Sequence, residues 1–329
     1  MNRAVVTGGG GFIGSAIVRK LLARRVQVTV VGRSPYPELA ALGVTCLQGD
    51  ISDQEFMNRS LVGADLVFHV AARAGIWGPW REYVRTNIQG TATVIKSCLH
   101  NHVSSLVYTS TPSVVFDRYD LEGVNEQIPY AQKTLCHYAT SKIIAEKLVL
   151  QANGPELSTT AIRPHLVWGP GDPHLIPRLL DRGRKKMLKI IGDGCNRVDI
   201  AYIDNVVHAH LLAADNLLGP GNAAGRAFFI GDRQPVVLWD WINTLFSELD
   251  IEPVRQKVPF PVAFLAGGVL ETVHGCLNLA GEPKMTRFIA LQLARSHWFS
   301  HTAAEDILGY HPIVSTHEGM KLFLRSHSG

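Results

Sequence analysis

Short apolar runs alternate with amphipathic segments through the first half of the chain. The runs predict strands, and segments whose apolar residues recur every three or four positions predict helices. The predicted strands are Ala4–Val6, Val26–Val31, Leu66–Val70, Leu106–Thr109 and Thr159–Ile162. The predicted helices are Ile13–Ala23, Gln54–Leu61, Val84–Leu99, Tyr138–Asn153 and Asp204–Leu212. This alternation indicates an α/β protein with a doubly wound parallel sheet, which binds ligands at the carboxyl ends of its strands.

The pattern loosens after Pro164. Proline, glycine and aspartate become frequent in residues 168–172 and 192–196, and the chain after Leu238 is mostly helical in pattern, with a break at Pro259–Pro261. We therefore expect a smaller, mostly helical, substrate-binding cap interleaved with the sheet domain. The predicted boundaries are residues 1–165 and about 197–235 for a dinucleotide-binding domain, and about 166–196 and 236–329 for the cap.

Composition narrows the class of protein. Apolar residues make up 46% of the 329 residues and charged residues 18%, which argues against a disordered or fibrous chain. The net charge of +4 is modest, and the one basic cluster, Arg182–Lys189, is short, so we expect no nucleic-acid partner. The five cysteines are far apart and the N-terminus has no signal-peptide pattern, so we expect reduced thiols and a cytoplasmic location.

Histidine spacing and one apolar stretch bear on metals and membranes. None of the fourteen histidines has a metal-site spacing, and His208 and His210 do not share a helix face, so we predict no metal. The apolar run Phe260–Leu270 is too short to span a bilayer, which takes about 20 residues. Residues 260–279 fit a lid, a helix on a membrane surface or a core helix, and these alternatives stay open.

A glycine-rich segment follows the first predicted strand. It reads Thr7-Gly8-Gly9-Gly10-Gly11-Phe12-Ile13-Gly14 and places Gly8, Gly11 and Gly14 at the spacing G-x-x-G-x-x-G before a predicted helix. Glycines let the backbone turn tightly and approach a pyrophosphate, and the helix N-terminus offers free N–H groups. In this context the segment indicates a Rossmann dinucleotide-binding domain, with Phe12 and Ile13 also placed at the cofactor.

Two later strand ends supply further candidate cofactor contacts. Asp50 can accept a hydrogen bond from an adenine amino group and Ile51 can pack on the ring, although an ordinary turn also explains Gly49-Asp50. Ala71 and Ala72 close the third predicted strand, and their small side chains leave room for a cofactor.

The end of the second predicted strand bears on cofactor choice. Sites that prefer NAD place Asp or Glu there to bind the ribose, but no acid follows this strand until Glu38. Arg33 can hold a 2′-phosphate through a charge-assisted bidentate bond, and Ser34 can add a hydroxyl donor. We therefore predict NADP(H). The alternative is that Arg33 is a solvated turn residue and NAD also serves.

Tyr138 and Lys142 form a Y-x-x-x-K motif at the start of a predicted helix. This spacing places both side chains on one helix face, where the ammonium would lower the tyrosine pKa from its usual value of about 10. The tyrosine could then transfer a proton, and the lysine could also bind the nicotinamide ribose. The motif alone is common by chance, but here Ser110 and Thr111 precede it at a strand end, and Arg163-Pro164 follows it.

This order of motifs resembles the extended short-chain dehydrogenases/reductases of the 3β-hydroxysteroid dehydrogenase/isomerase group. The resemblance covers nearly the whole chain and is strongest over residues 1–215. The segments that carry it are residues 108–114, 168–172, 174–179 and 202–205, with Gly281-Glu282, residues 286–288 and His297-Trp298 in the C-terminal part.

Carried over by position, the resemblance implies site residues. Tyr138 is the general acid/base and Lys142 its partner. The family's catalytic serine aligns with Thr111, which keeps the hydroxyl, and Ser110 is the alternative. Asn87 matches a helix asparagine near the active site, and the loop that lines the nicotinamide matches Pro164, His165 and Val167.

Within this group the resemblance is greatest to bacterial reductases of 2-alkyl-3-oxoalkanoates in long-chain olefin biosynthesis. It implies an NADPH-dependent reductase that converts the ketone of a long-chain β-keto acid to a 3-hydroxy acid. Arg163, Arg178 or His174 would bind the carboxylate. Trp77, Trp80 and Tyr83 fit the wall of a lipid pocket or ordinary packing equally well.

Other functions and partners stay open. One alternative is an NAD(P)-dependent dehydrogenase of a 3β-hydroxysteroid or a sterol 4-carboxylate. Another is a non-catalytic dinucleotide sensor, against which the presence of both Tyr138 and Lys142 argues. The expected partner is a hydrophobic small molecule. A homodimer, an assembly with other enzymes of the pathway and peripheral contact with a membrane are further alternatives.

Overall fold

The computed structural model describes residues 1–327 of the chain. Its strands are β1 (Arg3–Thr7), β2 (Gln27–Gly32), β3 (Thr45–Gln48), β4 (Leu66–His69), β5 (Ser105–Thr109), β6 (Leu121–Val124), β7 (Ser158–Pro164), β8 (Val167–Trp168), β9 (Ile190–Ile191), β10 (Arg197–Val198), β11 (Ala201–Tyr202), β12 (Arg226–Ile230), β13 (Val236–Val237), β14 (Lys257–Val258) and β15 (His297–Phe299). Its α-helices are α1 (Phe12–Ala23), α2 (Pro37–Ala41), α3 (Gln54–Ser60), α4 (Trp80–Tyr83), α5 (Gly90–His100), α6 (His137–Gln151), α7 (Leu175–Arg184), α8 (Ile203–Leu217), α9 (Leu238–Ser247), α10 (Phe260–Cys276), α11 (Arg287–Ala294), α12 (Thr302–Leu308) and α13 (Thr316–His327).

Seven strands form the main sheet, in the order β12-β7-β5-β4-β1-β2-β3. Every neighbouring pair in it is parallel. β1 lies between β2 and β4, so the strand order reverses there, and such a switch point opens a crevice at the carboxyl ends of the strands. The predicted doubly wound α/β fold is confirmed.

Hydrophobic cores cover both faces of this sheet. Adjacent residues of β1 point to different cores, because side chains alternate along a strand: Val6 packs in one core and Val5 in the other. Ile17 of α1 joins the first core, while Met57 of α3 and Val149 of α6 join the second. Because both faces are covered, β4 and β5 are buried along their whole length, which explains their unbroken apolar runs.

A second sheet was not predicted. Its order is β13-β10-β15-β6, with β10 and β13 antiparallel and the other pairs parallel. Its strands are two to four residues long, too short to show an alternating pattern. β6 lies within the predicted dinucleotide-binding segment and β15 within the predicted cap, and α12 contacts α8 and β12 of the sheet domain. The domain boundaries therefore stay a prediction.

The predicted helix Val84–Leu99 is divided in the structure. α4 begins it at Trp80, and a π-helical segment, Val84–Gln89, joins α4 to α5. Single π-helical turns of this kind occur often at functional sites, and this one contains Asn87.

The apolar segment after Pro259 forms α10, and most of this helix lies on the surface. Only Ala263 and Gly267 are buried in it, whereas Leu265 is 70% exposed. The core-helix interpretation is therefore wrong. No helix within residues 1–327 is both long and apolar enough to cross a membrane.

Candidate active site

The loop between β1 and α1 depends on glycine. Gly8 has a φ of 69°, and a Cβ there would lie 2.8 Å from the Ala71 backbone. A Cβ on Gly14 would lie 2.2 Å from the Gly8 carbonyl oxygen. Gly11 precedes α1 and no side chain caps this helix, so the N–H groups of its first turn are available to an anion. This backbone cradle fits a dinucleotide pyrophosphate.

A cavity of about 540 Å³ lies beside this loop. It is lined by most of the residues predicted for the cofactor and for catalysis: Gly8, Gly11, Phe12, Ile13, Gly14, Arg33, Asp50, Ile51, Ala71, Ala72, Ser110, Thr111, Tyr138, Lys142, Pro164 and Val167. The sequence interpretation assigned no role to other residues of its wall, among them Tyr36, Thr86, Leu166 and Asp172. The fold thus brings the glycine loop and the Y-x-x-x-K motif to one cavity.

Three predicted cofactor contacts lie outside the cavity wall. Ser34 is exposed beyond the end of β2. His165 is buried and lies 2.6 Å from His297 (Nε2 to Nδ1), so its side chain points toward the second sheet. Asn87 is buried beneath the site, where it bonds to protein groups.

Charged side chains line the cavity where β2 and β3 end. Asp50 forms an ion pair with Arg85 at 2.8 Å and accepts hydrogen bonds from Ser52. Burial raises the pKa of the Asp50 carboxyl, but the Ser52 hydrogen bonds and the Arg85 and Arg33 charges outweigh burial and lower it. Arg33 is exposed at the end of β2 and belongs to none of the ion pairs within residues 1–327. A cation outside the ion pairs of the described residues fits a 2′-phosphate at this place.

Tyr36 explains why the loop needs glycine at a further position. A Cβ on Gly10 would lie 1.9 Å from Cε1 of the Tyr36 ring, and a Cβ on Gly32 would lie 2.0 Å from its hydroxyl oxygen. The ring therefore lies against both glycines next to Arg33. No sequence pattern marked Tyr36, because it reaches the cavity through the turn after β2.

Tyr138 and Lys142 lie in the first turns of α6 and both line the cavity. The Lys142 ammonium donates a hydrogen bond of 2.7 Å to the Thr109 carbonyl and lies 4.1 Å from the centre of the Tyr108 ring. Burial lowers the pKa of Lys142 to about 7, although the Glu146 charge opposes this. Burial raises the pKa of Tyr138 to about 12, against a hydrogen bond with Thr111. The expectation that Lys142 lowers the tyrosine pKa is therefore wrong for this structure, because burial dominates.

The two candidate hydroxyls lie in different surroundings. Thr111 precedes the 3-10 turn Pro112–Val114, where its hydroxyl donates to the Ser113 hydroxyl at 3.2 Å and accepts from the Ser113 N–H. The same hydroxyl lies close enough to Tyr138 to lower the pKa of that tyrosine. Ser110 lies beside the buried carboxylate of Glu146, whose pKa it helps to lower, and its hydroxyl has no well-aligned hydrogen-bond partner among the described residues. The geometry therefore favours Thr111 as the hydroxyl that acts with Tyr138.

A buried hydrogen-bond chain connects the cofactor side of the cavity to α6. His69 lies between the Thr7 hydroxyl at 2.7 Å and the Thr91 hydroxyl at 2.9 Å, and Thr91 donates to the Asn87 carbonyl. The Asn87 amide donates to the Ser141 hydroxyl at 2.8 Å, which donates to the Tyr138 carbonyl. Burial lowers the pKa of His69 to about 3, so this histidine is neutral. The chain holds the start of α6 in register with β1 and β4.

The proposed carboxylate donors do not lie together. Arg163 is 3% exposed and forms two hydrogen bonds, of 2.6 and 3.0 Å, with the buried Glu146, so it does not line this cavity. Arg178 pairs with Glu282 at the surface. Only His174 lines the cavity, and the Asp172 carboxylate holds its backbone N–H. Arg163 was therefore a wrong candidate, because Glu146 occupies its guanidinium.

The three aromatic residues singled out in the sequence lie around α4, outside the cavity wall. Tyr83 is buried and donates to the Gly75 carbonyl, whereas Trp80 is 38% exposed. Trp77 packs edge-on against His274 of α10. Within residues 1–327, no group of three His, Cys, Asp or Glu side chains is placed to hold a metal ion.

Comparison with known proteins places the chain in a family and identifies its relatives. The model of the 3-beta hydroxysteroid dehydrogenase/isomerase family matches residues 5–262. The chain is 46% identical to a 2-alkyl-3-oxoalkanoate reductase of Shewanella oneidensis, over 98% of this chain and 85% of that protein. It is 41% identical to the enzyme of the same name from Stenotrophomonas maltophilia, over 97% of each chain. It is 33% identical to a decarboxylating sterol-4-alpha-carboxylate 3-dehydrogenase of Mus musculus, over 98% of this chain and 90% of that one.

Solved structures share the fold. The crystal structure of gox2253 superposes with a TM-score of 0.81 at 23% identity, over 100% of this chain and 98% of that one. A double mutant of DesIV, a dTDP-glucose 4,6-dehydratase from Streptomyces venezuelae with NAD bound, superposes with a TM-score of 0.76 at 25% identity, over 99% of this chain and 97% of that one.

Proposed function

The chain belongs to the 3-beta hydroxysteroid dehydrogenase/isomerase family of NAD(P)-dependent oxidoreductases, and from this premise we propose that it is an NADPH-dependent reductase of long-chain 2-alkyl-3-oxoalkanoates. The product is the corresponding 3-hydroxy acid. The observation that carries the proposal is that Tyr138, Thr111 and Lys142 line one cavity with Arg33, in a chain 46% identical to a reductase of that name.

The protonation of Tyr138 suits the reductive direction. A phenol whose pKa is raised to about 12 keeps its proton at neutral pH and can give it to the oxygen of a ketone as negative charge develops there. Thr111, which lines the same cavity as Tyr138, offers a second hydroxyl to the same oxygen. NADPH, when bound, supplies the hydride. Lys142, with a pKa near 7, can help replace the proton and bind ribose hydroxyls.

The preference for NADPH rests on Arg33. Its guanidinium lies at the end of β2, lines the cavity and lacks an ion-pair partner in the part of the chain that the structure describes. A 2′-phosphate there would gain a charge-assisted pair, while NADH offers this arginine only hydroxyls.

The substrate class rests on the reductase relatives and on the apolar surroundings of Tyr138. Phe260 and Phe264 of α10 and Phe288 of α11 belong to the hydrophobic cluster that Tyr138 contacts. An apolar cluster beside Tyr138 suits alkyl chains, because each buried methylene contributes about 0.8 kcal/mol. Of the three predicted carboxylate donors, His174 is the one that lines the cavity, so we assign the carboxylate to it.

A chain-length series tests the proposal. NADPH oxidation is measured with freshly prepared 2-alkyl-3-oxo acids of increasing alkyl length, and NADP⁺ reduction with the matching 3-hydroxy acids. We expect kcat/KM to rise with chain length and to be higher with NADPH than with NADH. Equal rates for short and long acids, together with faster NAD-dependent oxidation of a sterol 4-carboxylate, would replace this function by that of the sterol dehydrogenases to which the chain is 33% identical.

A further inference from the structure

A buried carboxylate lies one helical turn beyond Lys142 on α6. Tyr138, Lys142 and Glu146 recur every fourth residue, so their side chains lie on one face of the helix. Glu146 is 0% exposed and Lys142 is 2% exposed, and Lys142 belongs to none of the ion pairs within residues 1–327. Water screens buried charges poorly, so the carboxylate and the ammonium act on each other without direct contact.

Glu146 is held by donors from outside α6. Arg163 of β7 donates two hydrogen bonds to its carboxylate, of 2.6 and 3.0 Å, and the Tyr130 hydroxyl donates one of 2.7 Å. Burial raises the pKa of the Glu146 carboxyl, but the Arg163 charge and the hydrogen bonds outweigh burial and lower it. A second carboxylate, Glu126, acts on Arg163 more weakly. Glu146 therefore carries a negative charge at neutral pH.

The other titratable groups around Lys142 are uncharged at neutral pH. The centre of the Tyr108 ring lies 4.1 Å from the ammonium, and burial raises the pKa of this phenol. Burial lowers the pKa of His69 to about 3 and raises that of Tyr138 to about 12. Among the described residues, Glu146 therefore supplies the negative charge that acts on Lys142. Burial lowers the pKa of Lys142 to about 7, and the Glu146 charge opposes it.

We propose that Glu146 is a positioning residue that acts through Lys142: its buried carboxylate, held by Arg163 and Tyr130, favours the charged form of the lysine during turnover. A charged Lys142 can replace the proton that Tyr138 gives to the ketone oxygen, whereas a neutral amine cannot. The role in reduction rests on the proposed function. The effect of Glu146 on the charge of Lys142 does not, because it exists without a substrate.

An NMR titration of Lys142 tests this effect without turnover. The full-length protein is labelled with ¹³C at the lysine ε carbon, and the resonance that Lys142→Arg removes is followed against pH. We expect a midpoint near pH 7 for the wild type. In Glu146→Gln the midpoint should fall by at least about one pH unit, the effect of losing a nearby opposite charge.

A second variant guards against loss of the fold. Glu146→Gln leaves the buried Arg163 without its counter-charge, which destabilises a protein strongly. The double variant Glu146→Gln/Arg163→Met removes both charges of the pair, a change that folded proteins tolerate better. The Lys142 midpoint should fall in this variant too, because Glu146 is the member of the pair that acts on Lys142.

Two further variants separate charge from packing. Glu146→Asp keeps the carboxylate on a shorter side chain, and Tyr130→Phe removes a hydrogen bond of 2.7 Å to Glu146 but no charge. Both should lower the thermal unfolding midpoint, while the titration midpoint of Lys142 stays close to the wild-type value. An unchanged Lys142 midpoint in Glu146→Gln and in the double variant, or equal shifts in Glu146→Gln and Tyr130→Phe, overturns the proposal.

Single-turnover kinetics separates this inference from the proposed function. The rate of NADPH oxidation by a long-chain 2-alkyl-3-oxo acid should fall as the pH rises through the Lys142 midpoint. The fall should occur at lower pH in Glu146→Gln and at the wild-type pH in Tyr130→Phe. If the wild type does not reduce the acid, the proposed substrate is wrong, and the NMR titration still decides whether Glu146 controls the charge of Lys142. A midpoint that moves while the rate profile of Glu146→Gln does not would overturn the role in reduction.

Discussion

Thr111 and Ser110 are neighbours in sequence but face different groups. Thr111 lies beside Tyr138 and lowers its pKa, and Ser110 lies beside the buried Glu146. Removing a hydroxyl that stabilises developing negative charge costs about 10²–10³ in rate, whereas removing one beside Glu146 affects only packing and the carboxylate. We therefore expect Thr111→Val to lower kcat by about that factor and Ser110→Ala to lower it by less than about tenfold. Steady-state kinetics of both variants would show the reverse order if Ser110 were the catalytic hydroxyl.

Arg33 is the residue on which cofactor selectivity depends. Its guanidinium has no ion-pair partner among the described residues, so Arg33→Ala breaks no ion pair of the protein's own. NADPH binding should weaken by about 1.5–3 kcal/mol, the range for a hydrogen bond to a charged group, and NADH binding should hardly change. Fluorescence titration measures both dissociation constants. Parallel losses for the two cofactors would mean that Arg33 does not contact a 2′-phosphate.

Residues of the site differ in how far sequence alone could place them. Gly8, Gly14, Tyr138 and Lys142 belong to local motifs whose spacing carries the chemistry, so they could be identified without a structure. His69 and Thr91 could not, because their roles arise only when β4 packs against α5. The protonation states of Tyr138 and Lys142 were also out of reach, because burial depends on the whole fold.

At the scale of elements, the π-helical segment Val84–Gln89 is the main departure from a regular helix near the site. It places Asn87 where its side chain bonds to both backbone groups of Arg73 and to Ser141 of α6. Asn87→Ala should leave these buried groups unsatisfied and lower the free energy of unfolding by about 1–3 kcal/mol. The variant should also lose kcat, because Ser141 would no longer be held against the Tyr138 carbonyl. Urea unfolding with kinetics on the same samples tests this, and unchanged stability would contradict the proposed anchoring.

Elements with long buried runs were predictable, and elements made by tertiary contact were not. β4 and β5 show continuous apolar sequences because both faces are covered. By contrast, β10 and β15 of the second sheet are only two and three residues long, and they pair across about 100 residues of sequence. Local pattern carries no information about such a pairing.

At the scale of the whole molecule, four buried histidines link folding to pH. Burial lowers the pKa of His69 to about 3 and of His210 to about 4, and it also lowers those of the bonded pair His165 and His297. In the unfolded chain histidines titrate near 6.5, so between these values the unfolded state binds more protons. The buried neutral histidines therefore make their whole contribution to the free energy of unfolding above about pH 6.5, and this contribution decreases as the pH falls below that value.

The slope of this loss can be measured. Each buried histidine that stays neutral adds about 1.4 kcal/mol per pH unit to the decline in the free energy of unfolding below about pH 6. We expect His210→Gln to reduce the slope by about that amount, whereas the exposed His317→Gln should leave it unchanged. Urea unfolding at several pH values between neutral and mildly acidic pH gives the slope for each variant. Equal slopes for both variants would show that His210 is not buried neutral.

Single-turnover reduction by Tyr138→Phe is the most direct test of the central claim. The variant keeps the ring and removes only the hydroxyl that lies with Thr111 at the cavity. Stopped-flow absorbance follows NADPH oxidation by a long-chain 2-alkyl-3-oxo acid, and fluorescence titration follows NADPH binding. We predict an unchanged dissociation constant for NADPH and a loss of about 10²–10⁴ in the rate of oxidation. Oxidation at near the wild-type rate would contradict the assignment of Tyr138 as the proton donor.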